Sequence, residues 1–200
     1  QIMANFDNVT VINRDFLDVD LESDIKKHFN DENSIQVIAN LPYYITTPIL
    51  FKLLESNKLR KIVIMVQKEV GYRLVGKPKT KDYNALSVLM NYKTDSKILF
   101  NVSKKSFYPV PKVDSVIIEI KPVKRDYGLI NEPNFFEFVR KIFAQRRKTL
   151  INNLHNISDY DKISLKELLI SLNHDITVRA EALTIDEIVE LYKRVHQKLH

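Results

Sequence analysis

The sequence predicts an α/β domain over residues 1–124 and a small all-α domain over residues 125–200, and three observations carry that prediction. Apolar runs of strand length, such as Ile35–Ala39 and Ile62–Val66, alternate with helically spaced patterns up to about residue 121. Between Pro122 and Pro133 the strand pattern stops and only helical periodicity follows, which marks the boundary. Finally, the loop Asn40-Leu41-Pro42-Tyr43 follows a strand directly, at the sheet edge where open α/β folds bind ligands.

In chain order, Val9-Thr10-Val11-Ile12 reads as a short strand with Arg14-Asp15-Phe16-Leu17 in the loop at its carboxyl end. Asp18, Asp20, Glu22 and Asp24 suit the acidic first turn of a helix. After the strand at 35–39, a hydroxyl cap and Pro48 at the first helical position open a helix from Thr47 to about Ser56. Lys61–Gln67 is the third strand, and its unbroken apolar centre predicts burial on both faces of a sheet. A helix from Lys68 to Val75 ends at Gly76, and the basic loop Lys77-Pro78-Lys79-Thr80-Lys81 follows, either a phosphate contact or simply mobile. Asn84–Tyr92 is helical, and Lys97–Val102 and Ser115–Lys121 are strands. In the second domain Phe135, Phe136, Phe138, Val139, Ile142 and Phe143 form a helical stripe suited to packing on the first domain. The pairs Ser164/Glu167 and Thr184/Glu187 read as capping boxes opening helices at 164–172 and 184–199.

Composition narrows the function. The chain has 200 residues, 44% of them hydrophobic, with no apolar run of membrane-spanning length and no signal peptide, so a soluble, cytoplasmic protein with no membrane partner is expected. With no cysteine, disulfides and thiolate metal sites are excluded, and the histidines at 28, 155, 174, 196 and 200 show no ligand spacing, so no metal is expected. The net charge of +6 is unevenly spread: residues 35–125 carry seventeen Lys/Arg against six Asp/Glu, whereas 1–34 carry three against eight. A polyanionic partner explains a surplus placed around the Asn40 loop, although a solvated basic face has the same composition.

The chemistry of that loop is specific. An exocyclic amine on a nucleobase is a poor nucleophile because its lone pair is delocalised into the ring. Acceptors aimed at its two hydrogens draw electron density back onto nitrogen. Asn40 offers a side-chain carbonyl, Pro42 stiffens the backbone so that an adjacent main-chain carbonyl, at Leu41 or Pro42, is the second acceptor, and Tyr43 offers a face on which an extruded base can stack. The same residues also suit a plain structural turn. Phe107-Tyr108-Pro109-Val110-Pro111 is the second marked loop, an aromatic pair among stiff prolines flanked by Lys104, Lys105 and Lys112. Arg146-Arg147-Lys148 closes the helical stripe, its cations projecting around a helix to contact phosphate.

Taken together, Asn40–Tyr43 with Ile45–Pro48, Gln67–Val70, Tyr83–Val88, Phe107–Ser115 and Gln145–Leu150 closely resemble the ribosomal RNA adenine dimethyltransferases of the KsgA/Dim type. The resemblance implies a Rossmann-like class I methyltransferase domain, S-adenosylmethionine as cofactor, and dimethylation of adenine N6 on small-subunit rRNA or the pre-ribosomal small subunit. It further implies that Asp15 accepts a hydrogen bond from the cofactor's adenine amine, that Phe16 lies beside that ring, that Asn40 also faces the cofactor, and that Phe107 stacks on the target adenine opposite Tyr43. Lys104, Lys105 and Lys112 then suit the phosphates of that nucleotide, and the helical domain helps to grip the ribosomal substrate.

One departure stands out: the family's glycine-rich cofactor loop has no counterpart, since Gly71, Gly76 and Gly128 are the only glycines and none lies in a Gly-x-Gly context. The sequence therefore reads as an incomplete methyltransferase domain with its first strands missing, inactive by itself. Two alternatives stay open, a large-subunit rRNA adenine methyltransferase and a noncatalytic RNA-binding factor in ribosome assembly.

Overall fold

The computed structural model describes residues 6–30 and 34–196. They divide into two compact units, Gln1–Lys68 with Leu99–Pro122 and Glu69–Ile98 with Val123–His200.

The first unit holds β1 (Ile35–Asn40), β2 (Leu59–Gln67), β4 (Ser115–Pro122) and, from Leu99 on, β3 (Thr94–Val102), in a sheet of order β1-β2-β4-β3. β1 and β2 are parallel and are joined through helix α2 (Thr46–Glu55), which buries Ile49, Leu50 and Leu53. β2 and β4 are antiparallel, with Ile62, Ile64 and Val66 directly opposite Ile120, Ile118 and Val116. All six are at most 1% exposed, so the cross-strand pairs form one continuous apolar face. The expectation that β2 is buried on both faces needs correction: Val63 and Met65 are only half-buried, and the strand alternates. Helix α1 (Leu21–His28) is capped by Asp20, whose carboxylate accepts from the Ser23 N–H at 3.1 Å.

The strand expected at Val9–Ile12 does not form. Val9, Val11 and Ile12 are 40%, 73% and 43% exposed and pair with no ladder, and a strand is defined by the partner that satisfies its amides. Helix α2 starts one residue earlier than expected and without a side-chain N-cap; a 3₁₀ turn at Tyr43–Ile45 runs straight into it.

The second unit contains α4 (Ala85–Lys93), α5 (Glu132–Ile142), α6 (Leu150–His155), α7 (Lys162–Ser171) and α8 (Ile185–His196), and α3 (Lys68–Leu74) leads into it. Its core gathers Phe135, Phe138, Ile142, Leu150, Leu154, Leu165, Leu169, Ile188 and Leu191 with Tyr83, Val88 and Tyr92. Those last three explain why residues 69–98 group here and not with the strands that flank them in sequence. The stripe on α5 is thus buried among α4, α6, α7 and α8. Gly76 closes α3 in close quarters: a Cβ there would meet Ser87 Oγ at 2.6 Å, the hydroxyl that completes the capping box of α4 with Asn84.

The expected box at Ser164/Glu167 is not used. Asp161 caps α7 instead, accepting from the Ile163 and Ser164 N–H groups at 2.8 Å each, and these bonds hold its carboxyl below the usual range. The Thr184/Glu187 box forms as expected, with Glu187 N donating to Thr184 Oγ1 at 3.3 Å and Thr184 N donating to Glu187 Oε2 at 2.7 Å. The predicted end of that last helix beyond residue 196, and His200, lie outside the described residues.

Tyr83 is fully buried, its ring edge-on to Phe143 with centroids 5.8 Å apart, yet its hydroxyl finds no partner among the described residues. Desolvation pushes its pKa up. Replacing Tyr83 with Phe removes a buried, unsatisfied hydroxyl while keeping the ring. A gain of about 1 kcal/mol in the urea unfolding free energy is the expected outcome, read as a raised midpoint at unchanged slope.

Candidate active site and nucleic-acid interface

Asn40 is the last residue of β1, opposite Met65, and its side chain is exposed at the rim of the sheet. Leu41 continues the pairing by one bond, its N–H donating to the Met65 carbonyl at 3.4 Å, and turns its side chain into the core at 8% exposure. The backbone then turns sharply at Pro42, whose carbonyl accepts from Ile45 N at 3.2 Å and from Thr46 Oγ1 at 3.1 Å. Both lone pairs of that oxygen are occupied, so the Pro42 carbonyl serves the fold. The adjacent Leu41 carbonyl takes part in neither of these two bonds.

Tyr43 is half-buried at the start of the 3₁₀ turn, and its hydroxyl lies 2.6 Å from Ser115 Oγ. That bond ties the loop after β1 to the first residue of β4. Because β1 runs parallel and β4 antiparallel to β2, the end of β1 and the start of β4 lie at the same edge of the sheet.

The second loop reaches this edge from the other direction. A 3₁₀ turn at Lys104–Ser106 is capped by Ser103, whose hydroxyl accepts from Lys105 N at 3.3 Å, and it ends on Phe107, whose N–H donates to the Lys104 carbonyl at 3.3 Å. Asp114 fastens the turn: its Oδ1 accepts from Lys104 N at 3.0 Å, while its own carbonyl accepts from Lys68 N at 3.0 Å. Phe107 is half-buried, Tyr108 is fully exposed ahead of a cis bond to Pro109, and Lys104, Lys105 and Lys112 are all exposed.

Asp15 and Phe16 lie in the same unit. Asp15 Oδ1 accepts from Leu17 N at 2.9 Å, capping a 3₁₀ turn at Phe16–Asp18, so this carboxylate has a structural task; Phe16 is half-buried. The Lys52 ammonium donates to the Leu17 carbonyl and steadies the turn. Nearby, the Arg14 guanidinium 2.5 Å from Asp24 holds that carboxyl below its ordinary range.

The basic run of the second unit differs from expectation. Helix α5 ends at Ile142, and Arg146, Arg147 and Lys148 occupy a turn rather than a helix. The buried Asn153 side chain causes the stop by donating to the Ile142 carbonyl at 2.8 Å and the Gln145 carbonyl at 3.4 Å, taking acceptors that a continuing helix would use. Arg146 is engaged within the protein, its Nε 3.3 Å from Glu181 Oε2 and its Nη2 donating to the Lys81 carbonyl at 3.0 Å; Arg147 and Lys148 are exposed.

These contacts bring together segments far apart in sequence. A cavity of about 370 Å³ is lined by Lys79, Thr80, Lys81, Thr177, Val178, Arg179, Glu181 and Ala182. Glu181, its acid, is already paired with Arg146, so the cavity has a cationic lining. Sequence reasoning left the 77–81 loop open and gave Arg179 no role; only the Lys-x-Lys-x-Lys spacing hinted at phosphate. Ser115 and Asp114 were likewise given no role, although a serine opening an otherwise apolar strand is a local signal. Among the described residues no group of His, Asp and Glu can hold a metal ion, and no helix is long and apolar enough to cross a membrane.

Comparison with known proteins adds independent findings. A family profile described as "Ribosomal RNA adenine dimethylase" matches residues 3–197. The chain is 45% identical over 196 residues to the ribosomal RNA small subunit methyltransferase A of Bacillus cytotoxicus, covering 96% of this chain and 67% of that protein. The same figures hold for the protein of that name from Bacillus mycoides. Among solved structures it resembles a dimethyladenosine transferase from Plasmodium falciparum, with a TM-score of 0.66 and 26% identity over 82% of this chain and 67% of that one. The 23S rRNA methyltransferase ErmE matches with a TM-score of 0.69 at 19% identity, covering 98% of this chain and 75% of that one, a likeness of fold alone.

Proposed function

Since the chain belongs to the ribosomal RNA adenine dimethylase family, we propose that the protein carrying it dimethylates adenine N6 on adjacent adenosines of small-subunit rRNA, using S-adenosylmethionine. The observation that carries this reading is the rim of β1, where an exposed Asn40 amide and the Leu41 carbonyl stand beside a ring fixed by Ser115.

An adenine extruded from the RNA stacks between Tyr43 and Phe107. Asn40 Oδ1 and the Leu41 carbonyl accept the two N6 hydrogens, which localises the lone pair on nitrogen and directs it away from the ring plane. When bound, S-adenosylmethionine supplies an electrophilic methyl on a sulfonium. The amine held there would take that methyl, and its proton, made acidic by methylation, would pass to solvent, so these residues need supply no strong general base. In the second transfer the amine carries a single hydrogen, which only one of the two acceptors takes. For the cofactor's adenine, the loop at 14–17 fits in its chemistry: Asp15 uses one oxygen for its own turn and keeps a second acceptor, beside the Phe16 ring. The glycines that would cradle the methionine end are absent from these 200 residues.

Lys104, Lys105 and Lys112 neutralise phosphates next to the flipped nucleotide, and Arg147 and Lys148, with the Lys79/Lys81/Arg179 cavity, bind phosphates elsewhere on the rRNA. Arg146 supports this second group by holding Glu181. Replacing Arg147 and Lys148 with Ala should reduce the slope of log K against log salt for rRNA binding by about 1.5 to 2, measured by filter binding. An unchanged slope would remove both residues from the interface.

The function itself is tested by mass spectrometry of rRNA from small subunits incubated with the full-length protein that carries this chain and with cofactor. Two adjacent N6,N6-dimethyladenosines in small-subunit rRNA are expected. Methylation confined to large-subunit rRNA, or none, would replace this reading with one of its rivals.

A further inference from the structure

We propose that Asp114 and Ser115, neighbours at the start of β4, are positioning residues that set the distance between the two aromatic rings receiving the target base; this rests on the proposed function. Ser115 is fully buried, opening a strand whose other buried positions are Val116, Ile118 and Ile120. A hydroxyl in such a place needs a partner, and its partner is the Tyr43 hydroxyl at 2.6 Å. One residue earlier, Asp114 Oδ1 takes the Lys104 N–H at 3.0 Å, at the head of the turn that ends on Phe107. The Asp114 carbonyl receives the Lys68 N–H at 3.0 Å, which fixes this point to the end of β2.

Ser115 therefore holds the Tyr43 ring by its hydroxyl, and Asp114 holds the backbone of the turn that ends on Phe107, while its own carbonyl is tied to Lys68 at the end of β2. Tyr43 and Ser115 are 72 positions apart in sequence, and Lys104 and Asp114 are 10 apart, so both bonds are tertiary contacts made at the start of β4. A stacked base tolerates little error: ring contacts weaken outside a narrow range of spacing, and a displacement of about 1 Å at a reacting centre can cost about a hundredfold in rate. Neither residue has to touch the substrate. They act through Tyr43 and Phe107.

A double-mutant cycle on the protein that carries this chain tests the first link. Ser115→Ala and Tyr43→Phe should each lower kcat on small-subunit particles about tenfold with little change in KM, and the double variant should be no worse than either single one. Ser115→Thr, which keeps the hydroxyl, should recover most of the rate. For the second link, Asp114→Asn keeps an acceptor and should stay near the parent, whereas Asp114→Ala should lose about tenfold. The fluorescence rise of 2-aminopurine placed at the target position should shrink in Ser115→Ala and Asp114→Ala. Multiplicative losses in the cycle, no recovery with threonine, or equal losses in Asp114→Asn and Asp114→Ala would overturn the inference while leaving the proposed function standing. An unaltered protein that transfers no methyl groups would instead overturn that function, and the inference with it.

Discussion

Replacing Asn40 with alanine lowers the methylation rate by at least about a hundredfold and leaves the affinity for small-subunit rRNA within about twofold. The reasoning starts from position. Asn40 ends β1 with its side chain exposed, so the amide carries no part of the core and its removal leaves no cavity. What is lost is one of two acceptors that hold the amine when its lone pair leaves conjugation with the ring. The other acceptor, the Leu41 carbonyl, cannot be mutated, and Pro42 cannot replace it because its carbonyl already takes Ile45 N and Thr46 Oγ1. In the proposed function the phosphate contacts, which supply most of the affinity for RNA, are assigned to other residues. Single-turnover transfer of labelled methyl groups, read beside filter binding, separates the two quantities. A rate within threefold of the parent would deny Asn40 its role.

The second large effect is on stability. Phe135 is fully buried in the second unit, and its ring lies 5.5 Å from Tyr92, 5.6 Å from Phe136 and 5.3 Å from Tyr192, centroid to centroid. Phe135→Ala removes both the buried apolar area and these aromatic contacts, at a cost of about 3–5 kcal/mol. Set against a total stability of roughly 5–15 kcal/mol for an ordinary domain, that is enough to unfold much of the unit near physiological temperature. Phe135→Leu, which keeps most of the volume, should cost about half as much. Near-ultraviolet circular dichroism of the tyrosines during thermal melting follows the unit directly. A melting temperature within 2 °C or so of the parent in Phe135→Ala would refute this assignment of the core.

What the sequence revealed was what depends on local pattern. The apolar run within Lys61–Gln67 and the alternation of Ser115–Lys121 locate β2 and β4 to within two residues at each end, and Thr184 with Glu187 locates the start of α8. Local pattern failed wherever a distant residue decided the outcome. Asn153 stops α5 and turns Arg146–Lys148 into a loop, although nothing near residue 142 in sequence announces it. The cap of α7 is a local exception: Asp161, three residues upstream of Ser164, offers a carboxylate that takes both amides. Val9–Ile12 has the composition of a strand without the neighbouring strand that would make it one. At the candidate site the sequence singles out Asn40, Tyr43 and Phe107 but not the contacts that hold them, since the Tyr43–Ser115 bond spans 72 positions. The cationic cavity was hidden for the same reason, assembled as it is from residues 79–81 and 177–182.

The most direct measurement is a structure of the protein bound to a small ribosomal subunit or its rRNA in the presence of S-adenosylhomocysteine. The expected result is one adenine turned out of its strand and lying between the rings of Tyr43 and Phe107, with N6 within hydrogen-bonding distance of Asn40 Oδ1 and the Leu41 carbonyl. A target adenine still stacked in the RNA, or seated away from the end of β1, would contradict the account.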